Sequence, residues 1–530
     1  MRGRAAPSYR EVDDNARVMI HDVEIKTIPL DDYAAVAHLN RSVAELRAYA
    51  SAVAPGLRDR TVWMVNSTAR GGGVAEMLPR VVAMLGELGV RARWVVIDTA
   101  EPEFFSLTKR LHNLIHGSGH PRLSAADRAL YDRVSAQLAT ELLPRLADGD
   151  VLVVHDPQPL GAGALVRSAR PVTAIWRCHI GLDDELPQTR AAWEFLAPDL
   201  ASYDRAVFSA AEYVPPQLAG SASIIHPGID PLSHKNRELS IHKLVGILVD
   251  AKLVPAYGPA IVPPFEHAAL RMQVDGSLGS ALEPEEIGLL FRPIVLQVSR
   301  WDRLKGWHPL LEGFVKLKRE RTRRAARYDE RERSILAHAR LVLAGPDPGS
   351  IRDDPEGTEV FAELSDAYAA LEPELAADVA LVALPMASLK DNALIVNALQ
   401  RCATLVVQNS LREGFGLTVT EAMWKRCAVL GSRACGLRQQ IRHGVDGRLL
   451  RSAEDSAEIA DTLELLLTEP VMREAHGRAA QLRVQDEFLV FTQVRRWLEL
   501  LARQCAGDRR PDLARRGTRA RRPSTASRRT

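Results

Sequence analysis

The sequence reads TLVVQNSLREGFGLTVTEA at residues 404–422, an apolar run followed by a glycine-containing loop and a helical stretch. The apolar run has the composition of a buried strand, and Gly414 and Gly416 stand where the next helix would begin. Glu413 and Glu421 lie eight residues apart around that start. Because backbone N–H groups at the start of a helix attract anions, this stretch predicts a strand–loop–helix unit with a ligand site at its loop.

The same alternation of apolar runs and helical stretches occurs in two series along the chain. Such alternation is typical of parallel sheets with helices on both faces, and 530 residues exceed the usual size of a single core. We therefore predict an α/β protein of two doubly wound domains. The predicted strands of the first series are 62–66, 93–97, 151–155, 172–176 and 206–209; those of the second are 294–298, 341–344, 379–384, 404–408 and 428–430.

The composition along the chain predicts five segments. A linker is expected between the two series, because residues 253–265 (LVPAYGPAIVPPF) are rich in proline and glycine. The last segment holds nine arginines against two aspartates and too few apolar residues to fold alone, so we predict a disordered basic tail. The segments are an N-terminal Rossmann-like domain at 1–235, the linker with an apparent insertion at 236–292, a C-terminal Rossmann-like domain at 293–487, a helix packing back on the body at 488–507, and the tail at 508–530.

The overall composition is that of a soluble globular protein, with 46% hydrophobic and 26% charged residues. No apolar run is long enough to span a membrane, and the N-terminus lacks the apolar core of a secretion signal. Five scattered cysteines fit neither a disulfide framework nor a zinc site. We expect a cytoplasmic protein that binds small molecules rather than nucleic acid or membrane, and a homo-oligomer is compatible with the sequence.

The loops after the predicted strands are the expected ligand-binding positions of parallel sheets. A glycine run after the first strand either lets backbone N–H groups approach a phosphate or forms a plain flexible turn. Asp156 follows the strand at 151–155, and His179 follows the strand at 172–176. A single histidine there is more often structural, but two polar strand ends side by side favour a site. The glycines of the run are Gly71, Gly72 and Gly73.

Two cations follow the first strand of the second series. Arg300 and Lys305 come directly after residues 294–298. A guanidinium and an ammonium together suit a diphosphate leaving group, although two solvated surface cations are the alternative interpretation. Glu421, about one turn into its helix, is placed to accept hydrogen bonds from a ribose diol.

At this point the chain resembles family four of the retaining glycosyltransferases, whose mark is E-x7-E, and within it the trehalose glycosyltransferring synthases. The resemblance extends from about residue 66 to residue 488. It implies the GT-B architecture, in which two Rossmann-like domains face a central cleft. The motifs that carry it include GGGVAEML (71–78), VVHDPQPL (153–160), IWRCHI (175–180), QVSRWDRLKG (297–306), VNALQR (396–401) and SLREGFGLTVTEAMWK (410–425).

The resemblance implies transfer of glucose from a nucleoside-diphosphate glucose to glucose, with retention of configuration and without metal or other cofactor. It assigns a role to each candidate residue. Gly71, Gly72 and Gly73 would hold the donor phosphate or approach the glucosyl unit, and Arg300 and Lys305 would clamp the diphosphate. His179 would hydrogen-bond the transferred glucose, Glu413 would hold donor glucose hydroxyls, and Glu421 would hold the ribose. Asp156 would contact the acceptor, and the substrate-binding loop would be completed by Gly414, Phe415, Gly416 and Leu417.

Two other functions remain compatible with these motifs. A retaining trehalose phosphorylase uses the same scaffold with inorganic phosphate in place of the nucleoside diphosphate. A non-catalytic sugar-binding protein is disfavoured, because His179, Arg300, Lys305 and Glu413 are all present. The sequence departs from the family pattern at 253–279, which is longer than usual, and at 432–437 (SRACGL), where a more glycine-rich turn is common.

Overall fold

The computed structural model describes residues 20–69, 72–256, 264–323, 325–350 and 355–507. Gly71 and the predicted tail at 508–530 lie outside these ranges. The described chain forms two α/β halves, each built around one sheet.

The first sheet has seven strands in the order β1-β3-β2-β4-β5-β6-β7, all parallel except β1. Each strand predicted for this half is present, with its ends within one residue of the prediction. The strands are β1 (Ile20–Asp22), β2 (Val62–Asn66), β3 (Ala92–Ile97), β4 (Val151–His155), β5 (Thr173–Arg177), β6 (Arg205–Phe208) and β7 (Ala222–Ile224).

The second sheet has eight strands in the order β15-β14-β13-β10-β11-β12-β8-β9. Its central strands are parallel, while β8 pairs antiparallel with β12 and with β9. The strands are β8 (Leu270–Met272), β9 (Leu278–Ser280), β10 (Ile294–Val298), β11 (Arg340–Pro346), β12 (Val379–Leu384), β13 (Leu405–Gln408), β14 (Val429–Gly431) and β15 (Arg448–Leu449).

Helices connect the strands and cover both sheets. Those of the first half are α1 (Leu30–Ala34), α2 (Asn40–Val53), α3 (Gly72–Glu87), α4 (Pro102–Ile115), α5 (Ala125–Leu142), α6 (Leu160–Ala169) and α7 (Pro187–Leu200), and α8 (Ile241–Asp250) follows β7. Those of the second half are α9 (Trp307–Arg323), α10 (Glu330–His338), α11 (Pro355–Ala369), α12 (Pro373–Ala376), α13 (Leu389–Cys402), α14 (Leu417–Trp424), α15 (Cys435–Gln440), α16 (Ser456–Thr468), α17 (Pro470–Glu487) and α18 (Val490–Gly507).

The predicted linker range 236–292 contains α8 and two strands of the second sheet. Strand β8 extends that sheet beyond β12, and buried Arg271 donates from Nη1 to Glu285 O at 2.9 Å. Helix α8 packs against α13 of the second half. Residues in this range therefore build the edge of the second half as well as connecting the halves.

The C-terminal helix α18 returns to the first half, where it packs against α2 and α3. It begins at Val490, two residues later than predicted, and Phe491 meets Tyr33 edge-on with ring centroids 5.3 Å apart. The residues spaced for one helix face are all buried, which gives this helix the partner surface that its pattern requires. They are Phe491, Val494, Trp497, Leu498 and Leu501.

A glycine in α6 sets the distance between that helix and its neighbours. Tyr203 Oη donates to Leu160 O at 2.6 Å, and a Cβ added to Gly163 would overlap with that hydroxyl. The same Cβ would lie 2.9 Å from Val154 Cγ1 on β4. Helix α6 therefore reaches the sheet only because this position has no side chain.

We predict that Gly163→Ala lowers the free energy of unfolding by about 1–3 kcal/mol, the usual cost of overpacking a core. Gly86→Ala is the matched control, because Gly86 also lies in a helix and nothing stands within 4 Å of its added Cβ. This control should change stability little or raise it, by at most about 1 kcal/mol. Urea unfolding followed by circular dichroism measures both, and equal stabilities of the two variants would contradict the prediction.

Candidate active site

The ends of β4 and β5 bring two histidines and an aspartate together. His155 Nδ1 lies 2.9 Å from His179 Nε2, so a single hydrogen atom joins the two rings. Burial lowers the pKa of His155 to about 3, and burial together with Arg177 and His155 holds the pKa of His179 well below its usual value. Both imidazoles are therefore neutral, and His179 offers a ligand a hydrogen bond without a charge.

Asp156 holds the backbone of the His179 loop. Its Oδ1 accepts a hydrogen bond from the His179 backbone N–H at 2.8 Å, and its carbonyl accepts one from Trp176 Nε1 at 3.0 Å. Asp156 adopts the left-handed backbone conformation, with φ at 61°, which aspartate tolerates better than most residues. Burial raises the pKa of this carboxyl to about 6, against the opposing effects of the His179 N–H and of Arg177.

On the facing edge of the second sheet, Lys305 contacts Glu413. Lys305 Nζ lies 2.8 Å from Glu413 Oε2, which also accepts a hydrogen bond from Ser410 Oγ at 2.8 Å. Both charged side chains are mostly buried, at 14% and 12% exposed. The two residues that sequence spacing assigned to different loops thus form one charged unit.

Buried amides fix the turn that carries Lys305. Gln297 Nε2 donates to Lys305 O at 2.9 Å, and Gln297 Oε1 accepts from Asn409 N at 2.9 Å. Gly306 has a positive φ of 61°, and a Cβ there would overlap with Asn409 O. The turn after β10 and the turn after β13 are therefore locked to each other, which sets the distance between the ammonium and the carboxylate.

Arg300 follows the same strand as Lys305, β10, but extends toward solvent. Its side chain is 67% exposed, and Nη2 lies 3.6 Å from Asp302 Oδ2. Its carbonyl accepts a hydrogen bond from Trp307 Nε1 at 3.3 Å, so the backbone is anchored while the guanidinium keeps donors for a ligand. The predicted pairing of Arg300 and Lys305 around a diphosphate stays a prediction.

Two histidines that the motifs do not single out lie across the cleft from these cations. His112 in α4 and His116 just after it are four residues apart, with ring centroids separated by 5.0 Å. Burial lowers the pKa of His112 to about 3, and His116 and Arg300 lower it further. Burial lowers the pKa of His116 to about 4, and Lys305 and Arg412 lower it further. The i, i+4 spacing of the two rings on one helix face was the available sequence signal.

The glycine loop before α14 passes close to the first half. A Cβ on Gly414 would lie 3.7 Å from His116 Cε1 and 3.7 Å from His179 O, and Gly416 has a φ of 83°. Phe415 is buried between His226 and Phe488, with ring centroids at 5.7 and 5.8 Å. Leu417 is the first residue of α14. At residues 414 and 416 the cleft is therefore lined by main-chain atoms, because neither glycine has a side chain.

Glu421 lies deeper in α14 and is only 6% exposed. Burial raises the pKa of its carboxyl, while Lys235 and Lys425 act against this rise. Lys235 Nζ stands 3.7 Å from its Oε1 and 3.3 Å from Glu76 Oε2. Glu76 belongs to α3, so the Glu421 carboxylate faces the helix that follows the glycine run.

The glycine run is described only in part. Gly72 is the first residue of α3, and nothing stands within 4 Å of a Cβ added to Gly73. Gly71 lies outside the described residues. The roles predicted for these glycines therefore stay predictions, although the start of α3 does face the cleft at Glu76.

Side chains of each half donate hydrogen bonds to backbone carbonyls of the other half. Arg412 Nη1 donates to His116 O at 3.0 Å and to Gly117 O at 3.1 Å, and Tyr213 Oη donates to Glu413 O at 2.8 Å. Beside these contacts lies a cavity of about 290 Å³ between the halves. Its lining includes Asp183, Tyr213, Arg412, Glu413, Ser432 and Arg451.

Comparison with known proteins places these features in a family context. Residues 64–215 match the family described as "Trehalose synthase, N-terminal domain", and residues 386–483 match "Glycosyl transferases group 1". The chain is 33% identical over 451 residues to the trehalose synthase of Thermococcus litoralis, which covers 85% of this chain and 92% of that protein. It is 26% identical over 481 residues to the trehalose phosphorylase of Pleurotus sajor-caju, covering 86% of this chain and 60% of that one.

A solved structure shows the fold. The α,α-trehalose-phosphate synthase (UDP-forming) of Burkholderia xenovorans, in complex with glucose-6-phosphate, superposes with a TM-score of 0.58 at 16% identity, covering 84% of this chain and 100% of that one. The predicted GT-B architecture, two Rossmann-like domains around a cleft, is confirmed. None of the helices in the described ranges is long and apolar enough to cross a membrane.

We predict that Arg300→Ala and Lys305→Ala each lower turnover about a hundredfold or more, because the predicted diphosphate clamp would place both cations where leaving-group charge develops. Arg303→Ala is the matched control, since Arg303 lies on the same turn but pairs with Glu359 and Glu363 outside the cleft. Initial rates at saturating nucleotide sugar, with melting temperatures alongside, make the comparison. Near-normal turnover of both cleft variants with an intact fold would contradict the diphosphate assignment.

Proposed function

Because the chain belongs to the trehalose synthase family of glycosyltransferases, we propose that it transfers glucose from a nucleoside-diphosphate glucose to free glucose and forms trehalose. The observation that carries this proposal is the contact between Lys305 and Glu413 at 2.8 Å, opposite the neutral His179 loop. It combines a cation for the departing phosphate with a carboxylate for sugar hydroxyls.

The donor glucose would lie between the two halves. Glu413 has one oxygen bound by Lys305 and Ser410, and its carboxylate can accept from hydroxyls of the sugar. His179 supports the sugar from the first half as an uncharged partner. The bond between the anomeric carbon and the diphosphate breaks, and Lys305 and Arg300 stabilise the negative charge that forms on the leaving oxygen.

The acceptor would approach from the same face as the leaving diphosphate. Its hydroxyl oxygen bonds to the anomeric carbon, and its proton passes to the departing phosphate oxygen, so charge and atoms balance without a protein nucleophile. Retention follows because bond breaking and bond making share one face. Glycosidases use a different arrangement, in which two carboxyl groups flank the scissile bond.

Asp156 is our candidate for contacting the acceptor. Its Oδ1 is engaged by the His179 N–H, and within the described residues Oδ2 accepts no protein hydrogen bond. A carboxylate oxygen of this kind can accept from an acceptor hydroxyl while the other oxygen keeps the His179 loop in place. Donor and acceptor would then be held mainly by different halves of the protein.

A retaining trehalose phosphorylase remains the second candidate. Relatives with that name match most of this chain, and inorganic phosphate would suit the same cations. A donor screen separates the two functions. It offers ADP-, GDP- and UDP-glucose with glucose or glucose 6-phosphate, and in parallel trehalose with inorganic phosphate. Cleavage of trehalose by phosphate, with no transfer from any nucleotide sugar, would overturn the synthase proposal.

We predict that Asp156→Asn weakens the use of glucose and leaves nucleotide binding nearly unchanged. In the wild type, the raised pKa of about 6 means that this carboxyl gains a proton as the pH falls through that value. The specificity constant for glucose should therefore fall on the acid side with an apparent pKa near 6, and the Asn variant should lack this limb. Initial rates between about pH 5 and pH 8 test it; an unchanged acid limb in Asp156→Asn would contradict the assignment.

The product should be the non-reducing α,α-1,1 disaccharide, because nucleotide sugars carry α-linked glucose and the proposed transfer retains it. NMR of the product measures the anomeric configuration directly. A β linkage would overturn retention. An α linkage to another acceptor would remove only the identity of the acceptor.

A further inference from the structure

Lys235 lies between helices α3 and α14, the two helices of the cleft that follow glycine-containing loops. Lys235 stands on the segment between β7 and α8, with its Nζ 3.3 Å from Glu76 Oε2 in α3 and 3.7 Å from Glu421 Oε1 in α14. Helix α3 belongs to the first half and α14 to the second. The ammonium therefore occupies the cleft next to the buried carboxylate that the family pattern marks.

The backbone around Lys235 is held from the second half. Asn397 in α13, which is fully buried, donates from Nδ2 to His234 O at 3.0 Å and to Arg237 O at 2.9 Å. Asn236 Nδ2 donates to Asp230 O at 3.1 Å, which fixes the residue directly after the lysine. The side chain thus projects from a fixed position, as a ligand-contacting group requires.

The contact between Lys235 and Glu421 leaves both groups able to bind a ligand. A separation of 3.7 Å is too long for a direct hydrogen bond. Lys425, the other cation near this carboxylate, instead donates to Glu421 O at 3.0 Å and lies 3.3 Å from Asn236 Oδ1. Lys235 therefore lies next to the Glu421 carboxylate with N–H donors available for a ligand.

We propose that Lys235 completes the ribose site already predicted at Glu421: Lys235 donates to the oxygen of one ribose hydroxyl, while Glu421 accepts the hydrogen of the other. This inference rests on the proposed function, because it requires a nucleotide donor. A vicinal diol fits such a pair, since each hydroxyl both donates and accepts. Lys235 is then a specificity-determining residue for ribose.

The charges around Lys235 favour a neutral diol over a phosphate. The ammonium is shared between the carboxylates of Glu76 and Glu421, and these raise the pKa of Lys235 above its usual value. An anion at this point would meet two carboxylates, whereas Arg300 elsewhere in the cleft is 67% exposed and lies 3.6 Å from the carboxylate of Asp302. The two ends of the cleft thus suit different parts of one nucleotide sugar.

The test compares ribose and deoxyribose nucleotides. Calorimetry measures the affinity of wild type, Lys235→Met and Lys235→Gln for ADP, GDP and UDP and for their 2′-deoxy and 3′-deoxy counterparts, so that each ribose hydroxyl is tested. We expect the wild type to prefer the ribose form of the diphosphate it binds best. Both variants should lose about tenfold of that preference, the usual scale for a charged hydrogen bond. Lys235→Arg should restore part of it.

Steady-state rates add a readout that a loss of structure would not give. In Lys235→Met the KM for the nucleotide sugar should rise about tenfold, while kcat and the KM for glucose stay near wild type. Lys243→Met is the matched control, because Lys243 is an exposed lysine on α8 in the same part of the chain. It should leave both KM values unchanged.

The outcomes separate this inference from the proposed function. Nucleotide binding with an unchanged ribose preference in Lys235→Met and Lys235→Gln overturns the inference alone. An equal loss of affinity for ribose and deoxyribose forms also overturns it, because that result indicates a general effect of charge. If none of the three diphosphates binds and phosphate cleaves trehalose, the proposed function fails and the inference fails with it.

Discussion

Lys305 Nζ and Glu413 Oε2 are 2.8 Å apart in a cleft where both side chains are mostly buried. Removing either charge would leave the other buried without its partner, which is costly. The buried amides of Gln297 and Asn409 hold the two turns that carry the pair. Gly306 allows the turns to touch, because any side chain there would overlap with Asn409. The distance between the ammonium and the carboxylate is therefore set by three features: the pairing of β10 with β13, the glycine and the amides.

The two walls of the cleft differ in the charge of their side chains. Histidines on the first half are kept neutral by low pKa values, whereas Arg300 and Lys305 on the second half are cations. Under the proposed function, the phosphate would bind at the second wall, and a neutral sugar could hydrogen-bond to the first without competing for it. The proposed division between donor and acceptor thus corresponds to this difference in charge.

The parallel core was predictable because its strands are continuous apolar runs, such as Val62–Asn66 and Val379–Leu384, whose ends matched the predictions. Strands β8 and β9 were not predicted, since each has three residues. Strand β8 pairs with β12, which is distant in the sequence, and β9 pairs with β8. Motif positions identified Glu413 and Lys305 but not their contact. Lys235 was missed because only the folded chain brings it to Glu421.

The site and the approach of the two halves depend on the same atoms. Tyr213 of the first half donates to the carbonyl of Glu413, and Arg412, the preceding residue, donates to the carbonyls of His116 and Gly117. A separation of the halves at this point would therefore break hydrogen bonds on the loop that carries the candidate sugar-binding carboxylate. Because Arg412 and Glu413 are adjacent, the loop cannot keep its position over the first half while Glu413 moves away. Contact between the halves and the placement of Glu413 consequently depend on the same loop, and a substrate that contacts both halves would stabilise both at once.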